Sequence, residues 1–108
     1  MRTVELGPGV MCVELHGELD FAHAYDFDRD LQAVETDDVK TIVVDLRDVT
    51  FMDSAGVARL IAGHRRADRA GRRFAVVRGS RVVERLLRLT ALDQQLEMIA
   101  EPQVVLAG

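Results

Sequence analysis

The chain has 108 residues, of which 48% are hydrophobic and 30% charged. That length and balance suit one soluble domain, spanning residues 1–108, with a single core. No apolar run approaches the roughly 20 residues needed to span a bilayer, and Met1-Arg2-Thr3-Val4-Glu5 turns acidic before any stretch of signal-peptide length. The one cysteine, Cys12, can form neither an internal disulfide nor a cysteine metal site, so a cytoplasmic location without a membrane partner is expected. The net charge of −4 is unevenly spread: residues 1–50 carry four basic against twelve acidic side chains, and residues 51–108 carry ten arginines against six acids. A basic second half raises nucleic acid as a partner. The simpler reading of these arginines is a solvated helix face; a nucleic-acid role would need Arg65, Arg66, Arg69, Arg72 and Arg73 to form a patch, and without aromatic interleaving no direct nucleic-acid contact is expected.

In chain order, Val4–Leu6 and Val10–His16 read as short strands around the turn Gly7-Pro8-Gly9. Cys12 lies in the second as a buried residue, and Gly17-Glu18-Leu19-Asp20 breaks the pattern. Tyr25, Phe27, Leu31 and Val34 recur at helical spacing and predict an amphipathic helix ended by Thr36-Asp37-Asp38. The β-branched run Thr41–Leu46 suits a central strand covered on both faces. A loop over Arg47–Met52 leads to Asp53-Ser54, two N-cap residue types. Val57, Leu60, Ile61, His64 and Ala67 form one inward stripe, and Gly71 stands where a left-handed C-terminal residue belongs. Phe74–Val77 is a further strand. Gly79-Ser80 opens a helix with Val82, Val83, Leu86, Leu87 and Leu89 inward, and Leu96–Ala100 closes the pattern as a strand. The order β-β-α-β-α-β-α-β predicts an α/β domain, a central mixed sheet with helices packed mainly on one face.

The chemistry centres on Phe51-Met52-Asp53-Ser54-Ala55-Gly56-Val57, where a strand gives way to a helix at a hydroxyl. Backbone N–H groups at a helix start are unpaired and the dipole is positive there, so an added phosphate is well tolerated. Ala55 and Gly56 keep the first turn narrow, which leaves Ser54 approachable. The residues alone leave two readings open: Ser54 or Asp53 as a plain cap, or Ser54 as a modified residue. Val57 in place of Glu or Gln denies Ser54 a capping-box partner.

With Gly17-Glu18-Leu19-Asp20 upstream and Leu86-Leu87-Arg88-Leu89-Thr90-Ala91-Leu92-Asp93 downstream, this stretch resembles the STAS-domain anti-sigma factor antagonists over nearly the whole chain. The resemblance implies an anti-anti-sigma factor without enzymatic activity or cofactor. Its unphosphorylated form would bind an anti-sigma factor, itself a serine kinase, and free a sigma factor. Phosphorylation of Ser54 would release the partner, and a serine phosphatase would reset the switch. Asp20, Asp53, Ser54, Ala55 and Gly56 would border the partner, with the two aspartates orienting the serine. Two departures stand out: Ala91 replaces a common Gly, which implies a different helix cap, and the tail after Glu101 is short where the family often carries a final helix.

Rival readings find less support. A receiver-like phospho-aspartate domain using Asp45 needs a late lysine, and the only lysine is Lys40. A serine hydrolase using Ser54 would need a G-x-S-x-G elbow, which is missing. His16, His23 and His64 show no favoured partner, and His64 reads as a satisfied core histidine. No GxxxxGK[ST] loop is present, so the kinase must come from outside. The same fold as a passive interaction module in a transport or stress-signalling assembly stays open.

Overall fold

A computed structural model describes residues 1–107. The apolar runs form β1 (Arg2–Gly7), β2 (Val10–Leu19), β3 (Thr41–Met52), β4 (Arg73–Val77) and β5 (Glu97–Ile99). Between them lie α1 (Phe21–Val34), α2 (Ser54–Arg69), α3 (Arg81–Leu89) and a short α4 (Leu92–Gln95), and a 3₁₀ helix follows at Pro102–Leu106. One mixed sheet runs in the order β1-β2-β3-β4-β5, with β1 antiparallel to β2 and every other pair parallel. Because strand order advances in one direction, right-handed crossovers put successive helices on the same face. Val13, Leu15, Ile42, Val44, Leu46, Phe74 and Val76 pack there against Phe27, Leu31, Leu60, Val83 and Leu87.

The opposite face is smaller. Cys12, Val43, Ala75, Val77 and Ile99 are covered by Val105 of the 3₁₀ helix. With this 3₁₀ segment in place, β3 is covered on both faces as its apolar run predicts.

Several boundaries differ from the sequence reading, for physical reasons. Arg47–Met52 is strand, not loop, and β2 runs on through Gly17 to Leu19. β3 takes three steps from Asp45 to Asp48 where β2 takes two from Glu14 to His16. It takes two more from Val49 to Phe51 where β2 takes one. These two bulges space the inward residues Leu46, Val49 and Met52 three apart, which hides the alternation of a strand.

In α1 the buried residues are Ala24, Phe27, Asp28 and Leu31, and Tyr25 faces solvent. In α3 only Val83 and Leu87 are fully inside, while Val82 and Leu89 are exposed. His64 is half-buried beside Phe74, ring centroids 6.0 Å apart, and its Nδ1 has no partner among the described residues, so it is not a satisfied core histidine. Gly71 adopts φ +67°, as its position demanded. Ala91 also adopts a left-handed conformation, φ 59° and ψ 16°, so the helix before it ends with the backbone shape glycine would give. No different cap replaces it.

Candidate functional site

Parallel pairing of β2 and β3 builds the site. Leu19 and Met52 are paired in register, so the next residues, Asp20 and Asp53, leave the sheet side by side and each opens a helix. Both are extended N-caps. Asp53 Oδ1 accepts the backbone N–H of Ala55 at 2.9 Å and of Gly56 at 3.3 Å, and its Oδ2 accepts that of Phe21 at 3.0 Å. One carboxylate thus satisfies orphan donors of two helices, for which its charge and both oxygens are needed. Asp20 Oδ1 accepts the N–H of His23 at 3.2 Å and lies 2.6 Å from its Nδ1. That contact holds the His23 imidazolium above the usual histidine range and the Asp20 carboxyl below the usual carboxylate range.

Asp53, not Ser54, is therefore the cap. Ser54 is the first residue of α2, exposed, with no hydrogen bond to its hydroxyl among the described residues. No histidine is bonded to it among the described residues. Gly56 is buried, and a Cβ there would collide with the Leu19 carbonyl oxygen and lie 2.8 Å from Met52 Cγ. Its role is to let α2 start against the end of β2. Of the sequence-derived residues, Ser54 is the exposed one at the tip, Ala55 is half-buried beside it, and Asp20 and Asp53 hold the helix starts.

Sequence reasoning missed the apolar surroundings. Phe21 is 84% exposed and Tyr25 75%. With Ala24, Ala55 and Ala58 they line a shallow groove between α1 and α2, closed at one end by Arg59. The signal was present: Phe21 and Tyr25 are four apart, on a stripe displaced from that of Ala24, Phe27 and Leu31. One turn further along α1, buried Asp28 is bound by Arg59 at 3.2 Å and Arg66 at 2.9 Å, and Arg66 also grips Glu35 at 2.8 Å. These bonds set the spacing of α1 and α2, and they draw Arg66 out of the solvated arginine face to which the sequence assigns it.

Elsewhere, ligating atoms of Cys12, Glu14 and Asp45 lie within 4.8 Å of one another. Arg47 already binds Asp45 at 2.8 Å and Arg2 binds Glu14 at 2.7 Å. Burial, helped by Asp45, pushes the Cys12 thiol up to about 12. The trio is a neutralised ion cluster with a protonated thiol, poorly suited to a cation.

The family model of the STAS domain matches residues 2–103. The chain belongs to the STAS family. Among solved structures, this STAS chain is similar to an anti-sigma factor antagonist from Mycobacterium paratuberculosis, at 29% identity and a TM-score of 0.81, over 93% of this chain and 86% of that one. It shares its fold with the Bacillus cell fate determinant SpoIIAA in its phosphorylated form, at 18% identity and a TM-score of 0.74, over 96% and 95% of the two chains. It also shares it with a sulfate transporter family protein from Wolinella succinogenes, at 19% identity and a TM-score of 0.75, over 93% and 82%. No helix of this STAS chain is long and apolar enough to cross a membrane among the described residues.

Proposed function

We propose that this chain is an anti-anti-sigma factor that works in the cytoplasm, switched by phosphorylation of Ser54. Unmodified, the surface around Ser54 docks on an anti-sigma factor that is also a serine kinase, and a sigma factor is freed. Phosphorylation ends the contact and a serine phosphatase restores it. The observation that carries the reading is an exposed, unbonded hydroxyl at the first position of α2, beside the exposed apolar side chains Phe21 and Tyr25. Similarity to the mycobacterial antagonist supports the pathway.

The energetics favour a switch at the interface. In the free chain the start of α2 accommodates a phosphate, a gain of about 0.3–1 kcal/mol. Within a dry interface, the added charge of about −1.5 to −2 sits beside Asp53, whose oxygens are already committed, and stranding it costs several kcal/mol. About 5.5 kcal/mol turns a 99:1 equilibrium into 1:99. The fold stays intact while the partner leaves.

Incubation with the partner kinase and ATP should place one phosphate on Ser54, located by tandem mass spectrometry and abolished in Ser54→Ala. Phosphate found reproducibly on another residue would overturn the assignment. Ser54→Ala and Ser54→Asp used as baits should recover different partners, whereas equal recovery would favour a passive interaction module.

A further inference from the structure

On the solvent face of α3, Val82 is 55% and Leu89 73% exposed, seven residues apart on one stripe with Arg85 between them. Arg81, Arg85 and Arg88 are exposed there too, and none has a carboxylate at ion-pair distance among the described residues. A ridge that exposes large aliphatic side chains among unmatched guanidinium groups is a surface without its complement.

The complement stands on the same chain. A cleft of about 170 Å³ opens between α1 and the end of β2, floored by Leu19, Phe27 and Val49 and rimmed by Glu18, Asp26 and Asp30, with the Met1 ammonium engaged at His16 Nε2, 2.9 Å away, on the β1 side. Among the described residues only long, exposed pairs with Arg29, at 3.4 and 3.7 Å, engage Asp26 and Asp30, so an incoming arginine competes readily. His23 on the same rim is already matched by Asp20. Ridge and cleft cannot meet within one chain. β2 and β3 project beyond their neighbours: the β1 pairing ends at Glu14 and the β4 pairing at Asp45. The cleft lies along the β1 side of this projection, at His16 and Glu18. α3 lies along the β4 side, where the Ser80 hydroxyl donates to the Val49 carbonyl.

We propose that the α3 ridge of one copy seats in the α1/β2 cleft of a second copy, giving head-to-tail association. Aliphatic side chains meet an apolar floor, and three arginines meet three carboxylates. An anionic lipid surface is a poorer match, because the chain as a whole carries −4. Since the two patches are different, the contact is heterologous and can propagate. The cleft uses the flank of α1 opposite Phe21 and Tyr25, so the Ser54 surface stays open and the inference is independent of the reading above.

Sedimentation of the whole chain tests it, from about 10 µM to about 1 mM as suits a small, polar-rimmed interface. The average mass should climb past the dimer in low salt and fall back at 1 M salt, where charges are screened within about 3 Å. R85Q/R88Q, on the ridge, and D26N/D30N, on the cleft, should each weaken association about tenfold or more, with circular dichroism unchanged. An equimolar mixture of the two should form a dimer that grows no further, since each supplies the patch the other lacks. A chain that stays monomeric throughout, association indifferent to both variants, or a mixture that fails to pair would each overturn the proposal. So would binding to phosphatidylglycerol vesicles, lost in R85Q/R88Q, by a chain that never self-associates.

Discussion

The Asp53 carboxylate accepts the backbone N–H of Phe21, thirty-two residues away, with one oxygen and those of Ala55 and Gly56 with the other. The start of α1 is thereby tied to the start of α2, and Ser54 is presented from a fixed platform rather than a free loop. Asp53→Ala removes a cap and a cross-helix bond together. A loss of about 2 kcal/mol is expected, read as a lower urea midpoint with an unchanged slope. A loss below about 0.5 kcal/mol would show that the two helix starts hold themselves.

Gly56→Ala should cost about 2–3 kcal/mol through overpacking, because the new methyl meets the Leu19 carbonyl, which is backbone and cannot swing aside. Thermal unfolding reads it directly. The contrasting variant is Ser54→Ala at the exposed neighbouring position, which should leave the melting temperature nearly unchanged.

Ala91→Gly should raise stability. An L-residue at φ 59° carries a penalty of about 1–2 kcal/mol, partly offset by glycine's greater freedom in the unfolded chain. A net gain of about 0.5–1 kcal/mol is expected in chemical denaturation. A loss would mean that the exposed Ala91 methyl contributes packing that outweighs its backbone strain.

The Asp20–His23 contact makes the start of α1 sensitive to pH. His23 is raised above 6.5, so its contribution is fully present below 6.5 and fades as pH rises through the elevated value. Asp20 is lowered below 3.8, so its share is present above 3.8 and is lost as pH falls through the depressed value. The pair is complete between those two ordinary values. An NMR titration of the His23 ring should show its midpoint dropping toward 6.5 in Asp20→Asn; an identical midpoint in both proteins would remove Asp20 as the cause.

Local pattern was enough to reveal the α/β alternation, the left-handed Gly71, the Asp53-Ser54 helix start and the likeness to the STAS family. Those features depend on neighbours within a turn or a strand, where periodicity and cap chemistry act. Chain-distant partners decided the rest. The bulges that disguise Arg47–Met52 exist because β2 runs alongside, and Asp28 is buried because Arg59 and Arg66 arrive from another helix. Tyr25 and Phe21 look like core residues by composition and become surface because Ala24 and Phe27 already fill the space over the sheet. The sequence by itself marked Ser54 as the place where chemistry could happen. Only the tertiary structure assigned the capping to Asp53, because the first amide of α1 arrives to fix its second oxygen, and left the Ser54 hydroxyl without a partner among the described residues.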